Sequence, residues 1–232
     1  MAFPETGKTC NPLPSLNPVH LPPPGLDLIY RDESLIVLNK PAGLLAVPGR
    51  GADKQDCLAS RVQAEFPDAL VVHRLDMATS GLLLFARGAE MQRRLSQMFR
   101  EREVQKRYVA VVAGRPESLT GEIDLPLIGD WPNRPRQKVD SAIGKPSLTR
   151  YRVLGYEKPV HLGLVEATRV ELEPVTGRTH QLRVHLAAIG HPIVGDALYG
   201  AEAQRLLLHA SLLGFTHPLS GKRLSLASDA PF

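Results

Sequence analysis

The stretch HRLDMATSG, residues 73–81, is the most informative part of the sequence. It is a polar loop closed by a glycine, and it separates two short apolar stretches, Leu70–Val72 and Leu82–Phe85, that we predict to be strands. Strands this short hold the loop at the edge of the core, where burial perturbs a carboxylate and an arginine can keep it ionised. An ionised, partly desolvated Asp76 can act as a nucleophile or a base. The residue types alone favour a simpler interpretation, a turn in which Asp76 caps backbone amides and the loop hydroxyls bond locally.

A second polar cluster is GRTHQLRVH, residues 177–185, at the start of a predicted helix over Arg178–Ile189 with Gly190 after its end. The first helical amides together with Arg178 form a candidate phosphate site. Arg183 lies one turn further along and can bind a carboxylate through two contacts. The alternative is an ordinary polar helix start. The two histidines are five residues apart, so the spacing does not predict a zinc site.

The remaining pattern predicts an α+β fold, a mixed and mainly antiparallel central sheet with flanking helices. Leu26–Tyr30 and Ser34–Asn39 resemble a hairpin, and Cys57–Phe66 and Ala89–Arg100 have helical spacing. Gly121–Lys145 is predicted to be a long loop or hairpin insert. The other predicted strands are Val104–Val112, Thr149–Leu154, Leu162–Leu172, Leu206–His209, Leu212–Thr216 and Arg223–Leu226.

Domain organisation follows from proline content and length. Seven of the 20 prolines fall within the first 24 residues, which predicts an extended tail over 1–24. The other residues, 25–232, are enough for one large domain.

The composition excludes several classes of protein. Hydrophobic residues make up 43% of the 232, which excludes a disordered chain, and no uncharged apolar stretch reaches the roughly 18 residues of a membrane span. The first residues show no secretory signal, and Cys10 and Cys57 form no C-x-x-C pair, so we expect a reducing, cytoplasmic location. Neither glycine-rich nucleotide motif is present, so no nucleotide cofactor is predicted.

Positive charge is concentrated in two segments. Residues 93–107 and residues 134–150 each carry a net charge of +4, whereas the whole chain carries +4. Basic segments on a slightly acidic body are typical of proteins that bind a polyanion, because each neutralised phosphate releases counterions. A solvated helix face followed by a solvated loop remains the alternative.

The two quoted motifs, in this order, resemble the signature of the RluA-type pseudouridine synthases. The resemblance extends over nearly all of the chain from Leu26 onward, and includes the segments NKPAG (39–43), KRY (106–108) and HPIVGDALYG (191–200). The insert DWPNRPRQK (130–138) resembles that of the short, dual-specificity subtype of this family. The proline-rich start stands where longer relatives carry an S4 RNA-binding domain, which also favours the short subtype. The resemblance implies the pseudouridine synthase catalytic fold and an enzyme that isomerises uridine within RNA without a cofactor or metal.

The resemblance also implies roles for particular residues. Asp76 matches the essential aspartate, which either attacks ribose C1′ or abstracts the C2′ proton. Tyr108 matches the active-site tyrosine, Arg183 the arginine that pairs with the aspartate, and Arg74 the arginine that enters the RNA stack. The residues expected to contact RNA are Arg74, Arg178, His73, Arg93, Arg94, Arg134, Arg136 and Lys138.

The expected partners are stem-loops of 23S rRNA and the tRNA anticodon arm, bound by a monomer. A base in a folded stem-loop must be flipped out before its glycosidic bond can be rearranged. Two other functions stay open at this point, a non-catalytic RNA-binding protein with this fold and an RNA hydrolase that releases free uracil.

Overall fold

A computed structural model describes residues 25–157, 166–201 and 203–232. The predicted tail, 1–24, lies outside these residues. The described chain forms one large sheet with three α-helices and a small two-stranded hairpin. The strands are β1 (Leu28–Arg31), β2 (Leu35–Lys40), β3 (Ala69–Val71), β4 (Ser80–Arg87), β5 (Gln105–Ala113), β6 (Thr120–Asp124), β7 (Leu127–Gly129), β8 (Gln137–Val139), β9 (Leu148–Glu157), β10 (Ala167–Pro174), β11 (Leu208–Thr216) and β12 (Arg223–Ala227). The helices are α1 (Leu58–Glu65), α2 (Ala89–Glu101) and α3 (Gln181–Ala188).

The sheet order is β1-β2-β4-β11-β5-β10-β9-β6, with β3 beside β4 and β12 beside β11. Among the described residues, all strand pairs of this sheet are antiparallel except β4 with β11, which run parallel. The predicted α+β class with a mixed, mainly antiparallel sheet is therefore confirmed. Strands β7 and β8 form a separate hairpin, which carries the residues of the insert.

Alternation along β2 and β4 explains why helices cover both faces of this half of the sheet. Ile36 and Phe85 pack with α1 on one face, and Val37 and Leu84 pack with α2 on the other. Side chains that alternate between two buried faces produce a nearly continuous apolar strand. Helix α3 packs in a third cluster against β5 and β10 through Leu182 and Leu186, as its spacing predicted.

Gly81 allows β4 to approach β11 where the two halves of the sheet meet. Its φ is +114°, and a Cβ added there would lie 2.3 Å from the carbonyl oxygen of Ala210. No residue with a side chain fits that conformation and that spacing. The glycine that closes the 73–81 loop is thus required by the contact between β4 and β11.

Several predicted boundaries were wrong. Helix α3 begins at Gln181, not at Arg178, because His180 adopts a left-handed conformation with φ 54° that a helix cannot contain. The two strands predicted around 206–216 form the single strand β11, and β6 overlaps the start of the predicted insert. Part of the predicted strand Leu162–Leu172 lies outside the described residues. No helix among the described residues is both long enough and apolar enough to cross a membrane.

Candidate active site

The 73–81 loop is anchored on both sides of Asp76. The Leu75 side chain is buried in the cluster under α1, and the Met77 carbonyl accepts hydrogen bonds from the Gly43 N–H (2.9 Å) and from Lys40 Nζ (3.0 Å). The Thr79 N–H closes the turn on the Asp76 carbonyl at 3.1 Å. These contacts hold the backbone and leave the Asp76 carboxylate free of backbone amides among the described residues.

Ser80 connects the end of the loop to β11 and the C-terminal segment. Its hydroxyl accepts a hydrogen bond from Arg205 Nη2 at 2.8 Å and lies 2.9 Å from His209 Nδ1. The His209 Nε2 atom lies 3.1 Å from the Ser228 hydroxyl. Since these partners lie far along the chain, the local capped-turn interpretation of the loop is wrong.

Lys40 is fully buried beside the loop. Its ammonium donates three hydrogen bonds, to the carbonyls of Pro41 (2.8 Å), Leu44 (2.7 Å) and Met77 (3.0 Å). Burial lowers the pKa of Lys40 to about 7, and the nearby charge of Asp76 opposes that shift. The three carbonyls satisfy every ammonium donor, so Lys40 joins the turn after β2 to the loop that carries Asp76.

Arg183 bridges two carboxylates. Its Nε and Nη2 atoms donate to Asp196 Oδ2 (2.8 Å) and Oδ1 (2.7 Å), and its Nη1 donates to Asp76 Oδ2 at 3.3 Å. The predicted two-contact carboxylate partner is therefore Asp196, and the contact with Asp76 is single and longer. Burial alone lowers the pKa of Arg183, but the hydrogen bonds and charges of Asp196 and Asp76 outweigh it, and the pKa lies above its ordinary value.

Asp196 is held by the tight turn in which it lies. Its Oδ1 atom accepts the N–H groups of Leu198 (3.0 Å) and Tyr199 (3.2 Å), and its side chain is fully buried. The preceding Gly195 has φ +77°, and a Cβ added there would lie 1.8 Å from the Arg205 carbonyl oxygen. The turn thus presents a fixed carboxylate to Arg183, which in turn faces Asp76.

Asp76, Tyr108, His180 and Arg183 line one cavity of about 720 Å³. This volume is within the range of small-molecule pockets. Burial raises the pKa of Tyr108, and the charge of Asp76 raises it further, so the phenol stays protonated at neutral pH. The cavity therefore combines the partly exposed carboxylate of Asp76 with the aromatic ring of Tyr108, whose hydroxyl keeps its proton.

Five basic residues also line this cavity. Among the described residues none of them has a carboxylate within ion-pair distance, so their charge is available to an anionic ligand. They come from the loop, from the end of α2, from the start of β5 and from the connection before α3. They are Arg74, Arg100, Arg102, Lys106 and Arg178.

The other predicted RNA-contacting residues have different surroundings. Arg93 and Arg94 pair with Glu90 on the outer face of α2, and they do not line the cavity. His73 lines it, but its Nε2 atom accepts the Leu84 N–H at 3.0 Å and its ring stacks on Phe99. Burial, with a contribution from Lys106, lowers the pKa of His73 to about 3, so the ring is neutral.

The insert residues Arg134, Arg136 and Lys138 lie on and beside the β7–β8 hairpin, outside the cavity lining. Arg134 stacks on the exposed Trp131, with its Cζ atom 3.7 Å from the ring centroid, and Lys138 pairs with Asp140 at 3.5 Å. The hairpin nevertheless reaches the site, because the Gln137 N–H donates to the Tyr199 hydroxyl at 2.7 Å.

The sequence did not single out Asp196, Tyr199, Lys40 or His180 as site residues. A lysine at the end of β2, two residues after its apolar run, was the available signal for Lys40. For Asp196 and Tyr199 the available signal was their place in the segment HPIVGDALYG (191–200), which is part of the family resemblance. No group of three His, Cys, Asp or Glu side chains that could hold a metal ion exists among the described residues. The His185 ring lies within hydrogen-bond distance of the Thr149 hydroxyl and the Leu125 carbonyl.

Comparison with known proteins identifies relatives of this chain. Residues 34–188 match the family model described as RNA pseudouridylate synthase. The chain is 48% identical over 214 residues to the dual-specificity RNA pseudouridine synthase RluA of Escherichia coli strain K12, covering 90% of this chain and 95% of the relative. It is 46% identical to the Haemophilus influenzae RluA over 214 residues, with coverage of 90% and 95%.

A solved structure also has a similar fold. Human RNA pseudouridylate synthase domain containing 1 superposes with a TM-score of 0.74 at 29% identity, covering 94% of this chain and 87% of the human one. The match to the family model includes the loop of Asp76 and all of α3, because both lie within residues 34–188. The chain therefore belongs to the RNA pseudouridylate synthase family, in its RluA group.

Proposed function

We propose that this protein isomerises uridine to pseudouridine in RNA stem-loops and that Asp76 is its catalytic residue. The observation that carries the proposal is the position of the Asp76 carboxylate. It is 22% exposed, it contacts an arginine already held by a second carboxylate, and it opens into a cavity whose lining includes five further cations. A catalytic carboxylate needs this arrangement, because it must be ionised yet accessible to the substrate.

The reaction is an isomerisation. The bond between N1 of uracil and C1′ of ribose breaks, a bond between C5 and C1′ forms, and the C5 proton leaves while N1 gains one. Atoms and electrons balance, so the chemistry requires no oxidant, reductant or cofactor. Asp76 starts it by attack on C1′ or by removal of the C2′ proton, and Tyr108 lies in the same cavity to contact the detached uracil.

A uridine reaches this cavity only if it leaves its stack, which costs a few kcal/mol. The five cations of the cavity lining are the source of compensating phosphate contacts, with Arg74 placed in the loop itself to fill the vacated position. The insert cations Arg134, Arg136 and Lys138 extend this surface. The relatives carry the description dual-specificity, and by likeness we propose targets in 23S rRNA and in the tRNA anticodon arm.

One chain supplies all of the described cavity, so we propose that the enzyme acts as a monomer, in the cytoplasm where these RNAs are made. Light scattering during size-exclusion chromatography tests the first part. A dimer at the enzyme concentrations used for catalysis would contradict it.

The direct test is Asp76→Asn, assayed on synthetic anticodon and rRNA stem-loops by quantifying pseudouridine and by measuring RNA affinity. We expect no pseudouridine and an affinity within a few-fold of the unsubstituted protein, because the amide keeps the size of the side chain. Pseudouridine formation by the variant would overturn the assignment of Asp76. Free uracil among the products of the unsubstituted protein would indicate a hydrolase, and RNA binding without either product would indicate a non-catalytic binding protein.

A further inference from the structure

A chain of hydrogen bonds runs from the insert to His180, whose ring faces Asp76. The Gln137 N–H donates to the Tyr199 hydroxyl at 2.7 Å, and this hydroxyl lies 2.8 Å from His180 Nδ1. The other ring nitrogen, Nε2, lies 3.8 Å from Asp76 Oδ2. The insert hairpin and the carboxylate are therefore linked through two side chains.

The direction of each bond follows from the donors. The Tyr199 oxygen accepts the Gln137 N–H, which can only donate, and this leaves the Tyr199 hydrogen free to bond His180 Nδ1, the direction we assign. In a neutral imidazole whose Nδ1 accepts, Nε2 carries the hydrogen. That N–H then faces Asp76, whereas the other tautomer would direct a lone pair at the carboxylate.

The surroundings of His180 keep the ring neutral. Burial lowers the pKa of His180, and the charges of Arg183 and Arg74 lower it further, against the opposing charges of Asp76 and Asp196. A neutral ring has one N–H to donate, and the hydrogen-bond chain assigns it to Nε2.

The backbone of His180 is consistent with a dedicated role. Its φ of 54° is uncommon for a residue with a side chain, and such conformations persist where the surrounding structure holds them. His180 precedes the first residue of α3, but its side chain makes no capping bond to the helix. The turn before α3 is closed by another side chain, because Gln181 Oε1 accepts the Arg178 N–H at 3.0 Å. The His180 imidazole is thus left to face Tyr199 and Asp76.

Tyr199 also contacts the arginine of the site. The Arg183 Cζ atom lies 5.3 Å from the centroid of the Tyr199 ring, and the main-chain N–H of Tyr199 donates to Asp196 Oδ1. The closest approaches of Arg183 Nη1 (3.3 Å) and His180 Nε2 (3.8 Å) to the Asp76 carboxylate are both to Oδ2. Among the described residues Oδ1 accepts no hydrogen bond, so it remains available to a substrate.

We propose that His180 and Tyr199 are positioning residues for Asp76: with Arg183 they fix Oδ2, so that Oδ1 is the oxygen that meets the ribose, and the Gln137 N–H of the insert sets their orientation. This inference rests on the proposed function for its catalytic part. Its hydrogen-bond part is a property of the free protein and can be measured without substrate.

The first experiment is Tyr199→Phe, which removes the hydroxyl but keeps the ring against Arg183. Nitrogen-15 NMR of the free protein, with the His180 signals assigned by their loss in His180→Asn, should show the Nε2–H tautomer in the unsubstituted protein and a mixture of tautomers in Tyr199→Phe. Asparagine suits position 180, because it tolerates a left-handed backbone and is too short to replace Nε2. Tyr30→Phe is the matched control, since its hydroxyl bonds Asp32 outside the cavity.

The kinetic experiment is a double-mutant cycle. Tyr199→Phe should lower kcat about fivefold, which corresponds to a loss of about 1 kcal/mol, with KM and RNA affinity unchanged. Because Tyr199 acts through His180, the double variant should be no slower than His180→Asn alone. Multiplicative losses, or unchanged His180 signals in Tyr199→Phe, would overturn the proposal. If the unsubstituted protein forms no pseudouridine, the proposed function fails, while the spectra still test the hydrogen-bond chain.

Discussion

The geometry of Arg183 predicts opposite outcomes for its two carboxylate partners. Asp196→Asn removes the charge that holds Arg183 through two short bonds in a buried site. Removing one partner of a buried ion pair costs about 3–5 kcal/mol, and we expect about 3 kcal/mol because the amide oxygen and Asp76 remain as acceptors. Asp76→Asn removes one longer contact at a partly exposed carboxylate, which is worth about 1 kcal/mol or less.

Thermal unfolding separates the two variants. For a chain of this length each kcal/mol changes Tm by roughly 2–4 °C, so Asp196→Asn should lower Tm by about 6–12 °C and Asp76→Asn by less than about 4 °C. Activity should show the reverse order. Asp76→Asn should form no pseudouridine, whereas Asp196→Asn should retain part of its rate below its Tm because Asp76 is still present.

Equal losses of Tm in the two variants would refute this reasoning, because they would mean that Arg183 depends on Asp76 as much as on Asp196. Full activity in Asp196→Asn would refute the second half, because the orientation of Arg183 would then be irrelevant to the reaction. Circular dichroism at 25 °C provides the control that both variants are folded.

Three other substitutions test separate parts of the structure. The pKa of His73 is lowered to about 3 by burial, so the folded protein keeps the ring neutral while the unfolded chain takes up a proton near pH 6.5; stability is therefore lost as pH falls below 6.5. Between pH 7 and pH 5 the free energy of unfolding, measured by urea titration, should fall by about 2 kcal/mol less in His73→Gln, which keeps an acceptor for the Leu84 N–H. An unchanged pH dependence would contradict the neutral ring. Arg100→Ala should reduce the steepness of log RNA affinity against log salt concentration by about one. The control is Arg61→Ala, which should leave this slope unchanged because Arg61 already pairs with Asp56. Equal slopes in the two variants would show that Arg100 does not contact a phosphate. Gly81→Ala should destabilise the protein by about 3 kcal/mol or more, because the new Cβ meets the Ala210 backbone; Gly155→Ala, where a Cβ meets nothing within 4 Å, is the control, and similar unfolding midpoints would contradict the close approach of β4 and β11.

Local pattern was enough for most elements of the fold. The apolar runs in β2 and β4 predict strands, and the spacing of Met91 and Leu95 in α2 predicts a helix, since each signal depends only on residues close together in the chain. The start of α3 was predicted three residues early, because His180 has a left-handed backbone that the residue types around it do not indicate. The parallel pairing of β4 with β11 was not predictable either, since more than a hundred residues separate the two strands.

The candidate site divides in the same way. The amino-acid sequence by itself determined which side chains could do chemistry, because Asp76, Tyr108 and Arg183 lie in motifs whose residue types and order are specific. Only the tertiary structure decided how they are held. Asp196 takes both strong bonds of Arg183, Lys40 ties the loop of Asp76 to β2, and the insert reaches His180 through Tyr199. The physical reason is that a guanidinium binds whichever carboxylates the sheet order brings within about 3 Å, and that distance is a property of the packed chain, not of any one segment.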